Sequence, residues 1–155
     1  MPTLKLVDGK LACADTAAEE EISFEAWRAG ARPETDASAL LLPNDVPVDE
    51  VGRGVKAFGA VVLSFPGFRD GRAYTQARLL RERYGFRGEI RARGDVLRDQ
   101  IAFMARCGVD AFEIDAGEAE NLNAAFDEFS LVYQTAADCA APVWRRRAER
   151  AIAAE

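Results

Sequence analysis

Apolar runs alternate with apolar stripes of helical spacing along the middle of the chain. Two runs, Ala39–Leu42 and Ala60–Phe65, are apolar on both faces, which is typical of central strands in a parallel sheet. Segments 48–58 and 73–84 carry apolar residues three and four positions apart, as amphipathic helices do. Strands that alternate with helices through short connections predict parallel βαβ units and therefore an α/β fold.

Two further predicted strands, Gly88–Ala92 and Ala111–Ile114, differ because one of their faces is charged. Glu89 and Arg91 point to the same side, and Glu113 opposes the apolar neighbours in its own strand. Such a face can be a sheet edge, the interior of an incomplete barrel, or a surface that a partner subunit covers. We therefore predict an open sheet as the first choice and a half-barrel of βα units as the second.

The sequence pattern between and after these two strands predicts three more elements. Asp95 is expected to be the N-cap of a helix that ends near Cys107, with Gly108 as its stop signal. A helix is predicted over residues 118–129, and a fifth strand over Leu131–Gln134.

The chain divides into three parts by sequence pattern. Residues 1–38 are an N-terminal β-hairpin appendage, in which Leu4–Val7 and Lys10–Ala14 flank Asp8-Gly9, a favourable two-residue turn. Residues 39–141 form the α/β core domain. Residues 142–155 are a C-terminal helix rich in arginine, which is either solvated or faces a partner.

The composition excludes several classes of protein. A net charge of −6 over 155 residues argues against a general nucleic-acid partner, which usually requires a basic domain. No leader sequence and no membrane-length apolar run occurs, so we expect a cytoplasmic protein without a membrane partner. Three widely spaced cysteines without a CxxC pattern agree with a reducing compartment.

The chain has no histidine, which removes much of the usual catalytic chemistry. Ser-His and Cys-His arrangements, imidazole metal ligands and the commonest general base near neutral pH are all excluded. We predict no metal site, and no nicotinamide, flavin, siroheme or iron–sulfur fingerprint identifies a cofactor. Whether the protein is an enzyme stays open, and any electron transfer would use a cofactor that a partner carries.

Arginine is concentrated in one block of the chain. Ten arginines and no lysine lie between Arg69 and Arg106, against five acids, so this block carries a charge of +5. Arginine presents a planar fork that suits carboxylate, phosphate and sulfate oxygens. Most of these arginines, including Arg81 and Arg106, are expected on helix surfaces. Those at the carboxyl ends of strands, where parallel sheets bind ligands, are the candidates for a site.

The first candidate site lies where the helix over 73–84 begins. Arg72, together with the free N–H groups of the helix, could hold an oxyanion. Tyr74, in the first turn, is a candidate hydroxyl donor to the same anion. In the competing reading, Asp70 simply pairs with Arg72 in a capped turn.

The second candidate site follows the next strand. Arg91 or Arg93 could bind an oxyanion, Gly94 would let that anion approach the backbone, and Asp95 could orient the arginines or move a proton. We therefore name Asp95 as the candidate catalytic residue.

A structural reading competes with the second site as well. In it Asp95 is only a helix cap, and Arg91 pairs with Glu113 or Glu89 rather than with a ligand.

The run DGRAYTQARLLRERYGFRGEIRARGDVLRDQIAFMARCGVDAFEI, residues 70–114, closely resembles the signature of a bacterial family of uncharacterised proteins. The family has no established reaction. Where it usually has a second glycine after the DGR, this chain has Ala73, which disfavours an anion at that point of the backbone. The positions that match the family motif are Asp70, Gly71, Arg72, Arg78, Leu79, Leu80, Arg81, Gly85, Gly88, Arg91, Gly94, Asp95, Asp99, Gln100, Gly108 and Phe112.

Genes of this family commonly lie beside those for sulfite reductase and adenylylsulfate reductase of cysteine biosynthesis. The resemblance therefore implies an accessory protein of bacterial sulfate assimilation and sulfite reduction, with an oxyanion site at the carboxyl ends of strands. The alternative is a protein–protein adaptor that docks either reductase or a second copy of itself, without small-molecule chemistry. The charged sheet face favours a homodimer in that case, and a third reading is a lyase or isomerase with Asp95 as its base.

Overall fold

The computed structural model describes residues 3–14, 20–114, 119–128, 131–138 and 141–152. The strands are β1 Thr3–Val7, β2 Lys10–Ala14, β3 Glu21–Ser23, β4 Ala39–Leu42, β5 Ala60–Phe65, β6 Glu89–Gly94 and β7 Ala111–Glu113. The α-helices are α1 Phe24–Arg28, α2 Val48–Val51, α3 Arg72–Glu82, α4 Arg98–Arg106, α5 Ala119–Asn123 and α6 Val143–Ile152. Short 3₁₀ helices, Gly52–Ala57 and Ala124–Phe126, extend α2 and α5.

All seven strands belong to one open, mostly parallel sheet, which confirms the α/β prediction. Their order is β2-β1-β7-β6-β5-β4-β3. Strands β3 to β7 are parallel and lie side by side in sequence order, whereas β1 is antiparallel to both β7 and β2. Neighbouring parallel strands in sequence order require crossover helices, and right-handed crossovers place these on the same face of the sheet.

The N-terminal hairpin is present as predicted and extends the sheet beyond β7. Asp8 (φ 50°) and Gly9 (φ 78°) both have positive φ, as a tight two-residue hairpin turn requires. The sequence did not reveal β3, which is three residues long and adjoins an acidic run. It lies at the opposite edge of the sheet and pairs with β4.

Three predicted details are wrong or fall partly outside the described residues. Leu97, not Asp95, precedes α4, and no side chain caps this helix. Asp95 is still part of the β6 end, because its backbone N–H continues the pairing with β5 by donating to the Phe65 oxygen (2.7 Å), and the helix begins three residues later. Residues 131–134 form no strand, because the backbone oxygens of Val132 and Gln134 accept from Val143 and Arg106 rather than from a neighbouring strand. Of the helix predicted over 118–129, the structure describes Ala119–Asn123 and a 3₁₀ turn, while residues 118 and 129 lie outside the description.

The two faces of the sheet have different chemistry. Helices cover the face that carries Leu40, Val61, Leu63, Ile90 and Phe112, all of them fully buried. This continuous core contributes most of the apolar burial that stabilises the fold. The other face holds a small apolar group made of Ala39, Ala60, Val62 and Leu41, followed by charged side chains.

One outer edge of the sheet is protected by an amide side chain. Asn123 accepts from the Leu11 backbone N–H through Oδ1 (2.6 Å) and donates through Nδ2 to the Leu11 oxygen (3.1 Å). The side chain thus takes the place of a neighbouring strand on β2, and blocks an edge that could otherwise pair with another chain.

Arg81 is not the helix-surface arginine that its sequence position suggests. It donates to the backbone oxygens of Gly108 (3.0 Å), Phe86 (2.9 Å) and Gly88 (2.8 Å), and forms a short ion pair with Asp110. The guanidinium thereby joins the end of α3 to the loops before β6 and β7. Burial raises the pKa of the Asp110 carboxyl, although the Ile90 N–H and Arg81 oppose this rise.

Within the part of the chain that the structure describes, no helix is long and apolar enough to cross a membrane.

Candidate functional site

Six charged side chains form a continuous network on the face of the sheet opposite the helices, which we call the ion-pair ladder. Arg93 bonds Glu113 (Nε–Oε2 2.5 Å) and Glu21 (Nη2–Oε1 2.6 Å). Arg91 bonds Glu89 (2.5 Å) and lies 3.9 Å from Glu113. At the end of the ladder, Lys5 meets Glu89 at 2.5 Å. Three carboxylates and three cations therefore give the ladder no net charge.

The contact between Arg93 and Glu21 spans the middle of the sheet. Arg93 is on β6 and Glu21 is on β3, with β5 and β4 between them. Three strand spacings amount to about 14 Å, and the two long side chains cover this distance by extending toward each other across β5 and β4. The small side chains of Ala39, Ala60 and Val62 lie below and leave room for the long ones.

The middle of the ladder is buried, and its charges are matched there. Arg91 is 4% exposed and Glu113 is 8% exposed. The hydrogen bonds that Arg93 donates to Glu113, and then those to Glu21, raise the pKa of Arg93, and the same bonds to Glu21 lower the pKa of Glu21. Buried charges persist only when they are paired and hydrogen-bonded, and these contacts satisfy that condition.

Both ladder arginines already hold carboxylates. Arg93 uses Nε, Nη1 and Nη2 on Glu113 and Glu21, and Arg91 uses its fork on Glu89. An oxyanion at either guanidinium would have to displace a glutamate. The pairing of Arg91 with Glu89 and Glu113 is the arrangement that the structural reading of the sequence predicted.

Arg72 belongs to a separate group, at the exposed loop between β5 and α3. Its Nε and Nη2 donate to the two carboxylate oxygens of Asp70, at 2.9 and 2.6 Å. Asp70 also accepts from the Arg72 backbone N–H (3.3 Å), so it stands where an anion at the start of α3 was expected. The Arg72 guanidinium is the main reason that the pKa of Asp70 lies far below its ordinary value.

Tyr74 packs toward the sheet and α4 rather than toward Arg72. Its ring meets Phe65 edge-on, with 5.4 Å between centroids. Burial raises the pKa of the Tyr74 hydroxyl, and the charges of Cys107 and Asp99 add to this rise. Tyr74 is therefore a packing residue in this structure, with its polar end near α4.

Gly94 is required by the neighbouring strand. Its φ is +116°, and a Cβ at this position would lie 2.3 Å from the Phe65 backbone oxygen. The space beside the Gly94 backbone, where the sequence suggested that an anion could approach, is thus filled by β5. Asp95, which follows it, is half-buried at the end of β6 and donates its backbone N–H to the same oxygen.

Loops at the carboxyl ends of β5 and β6 form a surface that we call the rim, residues 66–72 and 95–97. A shallow groove of about 690 Å³ follows residues 66–72. Phe68 is 61% exposed, and Leu97 is also exposed. Arg69 is exposed as well, and among the described residues no carboxylate pairs with it. The rim thus combines apolar contact surface with an available positive charge.

Sequence reasoning missed two members of the ladder, Lys5 and Glu21. A signal existed, since Lys5 alternates with apolar residues in Leu4–Val7 and Glu21 precedes Ile22 in the same way. Neither pattern indicates which distant strand shares that face. Among the described residues, no group of carboxylates and cysteines could hold a metal ion.

The chain matches the model of a family described as "Bacterial protein of unknown function (DUF934)" over residues 39–144. This match confirms the family resemblance seen in residues 70–114. It covers strands β4 to β7 and their helices, with the start of α6, and so includes both the rim and the arginines of the ladder. No curated protein and no solved structure matches the chain.

Proposed function

The chain belongs to this bacterial family of unknown function, and on that premise we propose that it is an accessory protein of sulfate assimilation. The gene neighbourhood that the resemblance implies supports a role beside the enzyme that makes or reduces sulfite. We propose that it acts by docking that enzyme, sulfite reductase or adenylylsulfate reductase, through the rim.

One observation carries this choice of docking over small-molecule chemistry. Arg72, Arg91 and Arg93 all hold carboxylates, whereas Phe68 and Arg69 of the rim are exposed. An aromatic side chain beside a free arginine is the composition that dominates binding energy at protein interfaces. The partner surface should be apolar at its centre and acidic at its edge.

The test is direct binding of the purified reductases to the immobilised full-length chain. Replacing Phe68→Ser and Arg69→Glu together should weaken binding by at least about tenfold, because an anchor is lost and a charge is reversed. Val7→Ser is the matched control, since Val7 is equally exposed but lies on β1. Binding that survives the double substitution, or that Val7→Ser weakens equally, would remove the rim from the proposal.

A second function, oxyanion binding at Arg72, is favoured by the exposure of that side chain. The Asp70–Arg72 pair lies at the surface, where ion pairs are weak, so sulfite, sulfate or adenylylsulfate could compete with Asp70. In this function Asp95 is the carboxylate that moves a proton. Arg91 and Arg93 would bind the anion only after releasing the glutamates that they hold in this structure. A melting-temperature rise with these anions, lost in Arg72→Ala, is the expected sign.

A further inference from the structure

A second cavity lies at the other end of the molecule, beside the C-terminal half of α4. Its volume is about 400 Å³, which falls within the range of small-molecule sites. The lining is mostly apolar and comes from β1, α4, the turn after α5, and residues 131–133. The apolar and aromatic members include Leu6, Ala102, Phe103, Phe126, Val132 and Tyr133.

The wall formed by residues 131–138 is held in place by Arg106. Its Nε donates to Asp138 (3.1 Å), its Nη2 donates to the Gln134 oxygen (2.6 Å), and its own backbone oxygen accepts from the Ala137 N–H (3.0 Å). At the start of α6, Val143 donates to the Val132 oxygen (2.8 Å). These bonds join the wall to α4 and to α6, so the cavity has fixed sides.

The charges around the cavity leave one cation available. Arg106 and Asp138 compensate each other. Arg146 of α6 also lines the cavity, and in the described part of the chain no carboxylate pairs with it. The site therefore offers an apolar interior, a single positive charge and an aromatic edge, where Tyr133 is 76% exposed.

We propose that this cavity binds a small aromatic anion, with its ring system among the apolar side chains and its negative group at Arg146. Aromatic rings match the lining through ring contacts with Phe126 and Tyr133. A carboxylate or sulfonate suits a guanidinium, which binds planar oxyanions through two donors. This site is independent of the docking proposal, because it lies on the helix side, toward the amino end of β7, and shares no residue with the rim.

Two fluorescent probes with the same aromatic body test both halves of the proposal. 8-Anilinonaphthalene-1-sulfonate carries a negative group, and N-phenyl-1-naphthylamine does not. Both should bind the full-length chain saturably. Arg146→Ala should weaken the sulfonate probe by about fivefold, as expected for one partly exposed charge pair, and leave the neutral probe unchanged. Arg147→Ala, on the next position of the same helix, should change neither dissociation constant.

A filling substitution tests the location. Ala102→Phe should abolish binding of both probes while circular dichroism shows a folded chain. If Ala102→Phe does not fold, the charge reversal Arg146→Glu still decides, since it should weaken only the anionic probe. Failure of either probe to saturate, equal effects of Arg146→Ala and Arg147→Ala, or binding that persists in folded Ala102→Phe would each overturn the proposal.

Discussion

Arginines of one sequence block occupy two contrasting settings, the ion-pair ladder and the rim. In the ladder, Arg91 is almost fully buried and contacts Glu89 of its own strand and Glu113 of the neighbouring strand β7. At the rim, Arg72 is exposed and pairs with Asp70 two positions away. The same residue type thus serves the interior of the fold in one place and its surface in the other.

A high density of arginine in the sequence therefore predicts little about charge unless the positions of the acidic residues are also known. The ladder draws Lys5 and Glu21 from segments far from the arginine block, and these make it neutral. The rim keeps one charge of each sign, at Arg69 and Asp95, for which the described residues provide no ion-pair partner. Electrostatic attraction of a partner should therefore come from the rim, while the ladder should affect stability.

The largest expected effect is the loss of stability in Arg91→Ala. The substitution leaves Glu113 and Glu89 without their central cation on a buried face, so the free energy of unfolding should fall by about 3–5 kcal/mol. Urea denaturation measures this directly. Arg72→Ala is the matched control and should lower the urea midpoint far less, because its pair is exposed and exposed ion pairs stabilise only weakly. A similar loss in both variants would contradict the distinction between ladder and rim.

Local pattern was sufficient to predict much of the fold. Ala39–Leu42 and Ala60–Phe65 coincide with β4 and β5, because four to six consecutive apolar residues have few alternatives to a buried strand. The hairpin could be predicted for a similarly local reason, because Asp8-Gly9 favours a two-residue turn. Strand β3 could not be found this way. It owes its existence to pairing with β4, which lies 18 positions further along the chain.

The candidate sites were harder to predict, because their partners are distant in sequence. The pairing of Arg91 with Glu89 or Glu113 was one of two readings of the sequence. Glu89 is on the same strand as Arg91, but the contact with Glu113 depends on the register of β6 with β7, which the sequence does not reveal. The helical spacing predicts that Arg81 lies on the surface of its helix, but its hydrogen-bond partners are carbonyl groups of two loops. Backbone oxygens are present at every residue, so no sequence pattern marks them as ligands.

A second prediction compares glycines of the ladder strand and the rim. Gly94→Ala should lower the free energy of unfolding by about 2–3 kcal/mol, because its φ of +116° and the nearby Phe65 oxygen both oppose a Cβ. Gly67→Ala in the rim has open space around the new methyl group and no positive φ, so it should be neutral or slightly stabilising. Equal urea midpoints for the two variants would contradict this account.

A smaller effect should come from Arg93→Lys. Lysine keeps the positive charge but cannot engage Glu113 and Glu21 through a planar fork, so about 1 kcal/mol of stability should be lost. Arg72→Lys at the rim should have no measurable effect. If both substitutions prove neutral, the positive charge at position 93 stabilises the fold and the planar shape of the guanidinium does not. Chemical denaturation at two salt concentrations would measure the contribution of that charge.

The smallest effect concerns acid pH. Arg93 lowers the pKa of Glu21 from 4.5, so their interaction stabilises the folded chain fully above pH 4.5. The stabilisation is lost as pH falls from 4.5 through the lower, folded-state pKa. The difference in urea midpoint between the parent chain and Glu21→Gln should therefore shrink below pH 4.5. Asp70→Asn should show the same trend at low salt, but only below pH 3.8, the ordinary value from which Arg72 lowers the pKa of Asp70.

Salt separates these two carboxylates. At about 1 M salt the Debye length is about 3 Å, which screens exposed pairs more than partly buried ones. The Asp70→Asn difference should therefore disappear in 1 M sodium chloride, while the Glu21→Gln difference persists at neutral pH and still shrinks in acid. Disappearance of both differences would mean that solvent reaches Glu21 as freely as it reaches the rim, and that only the Arg91 end of the ladder is truly interior.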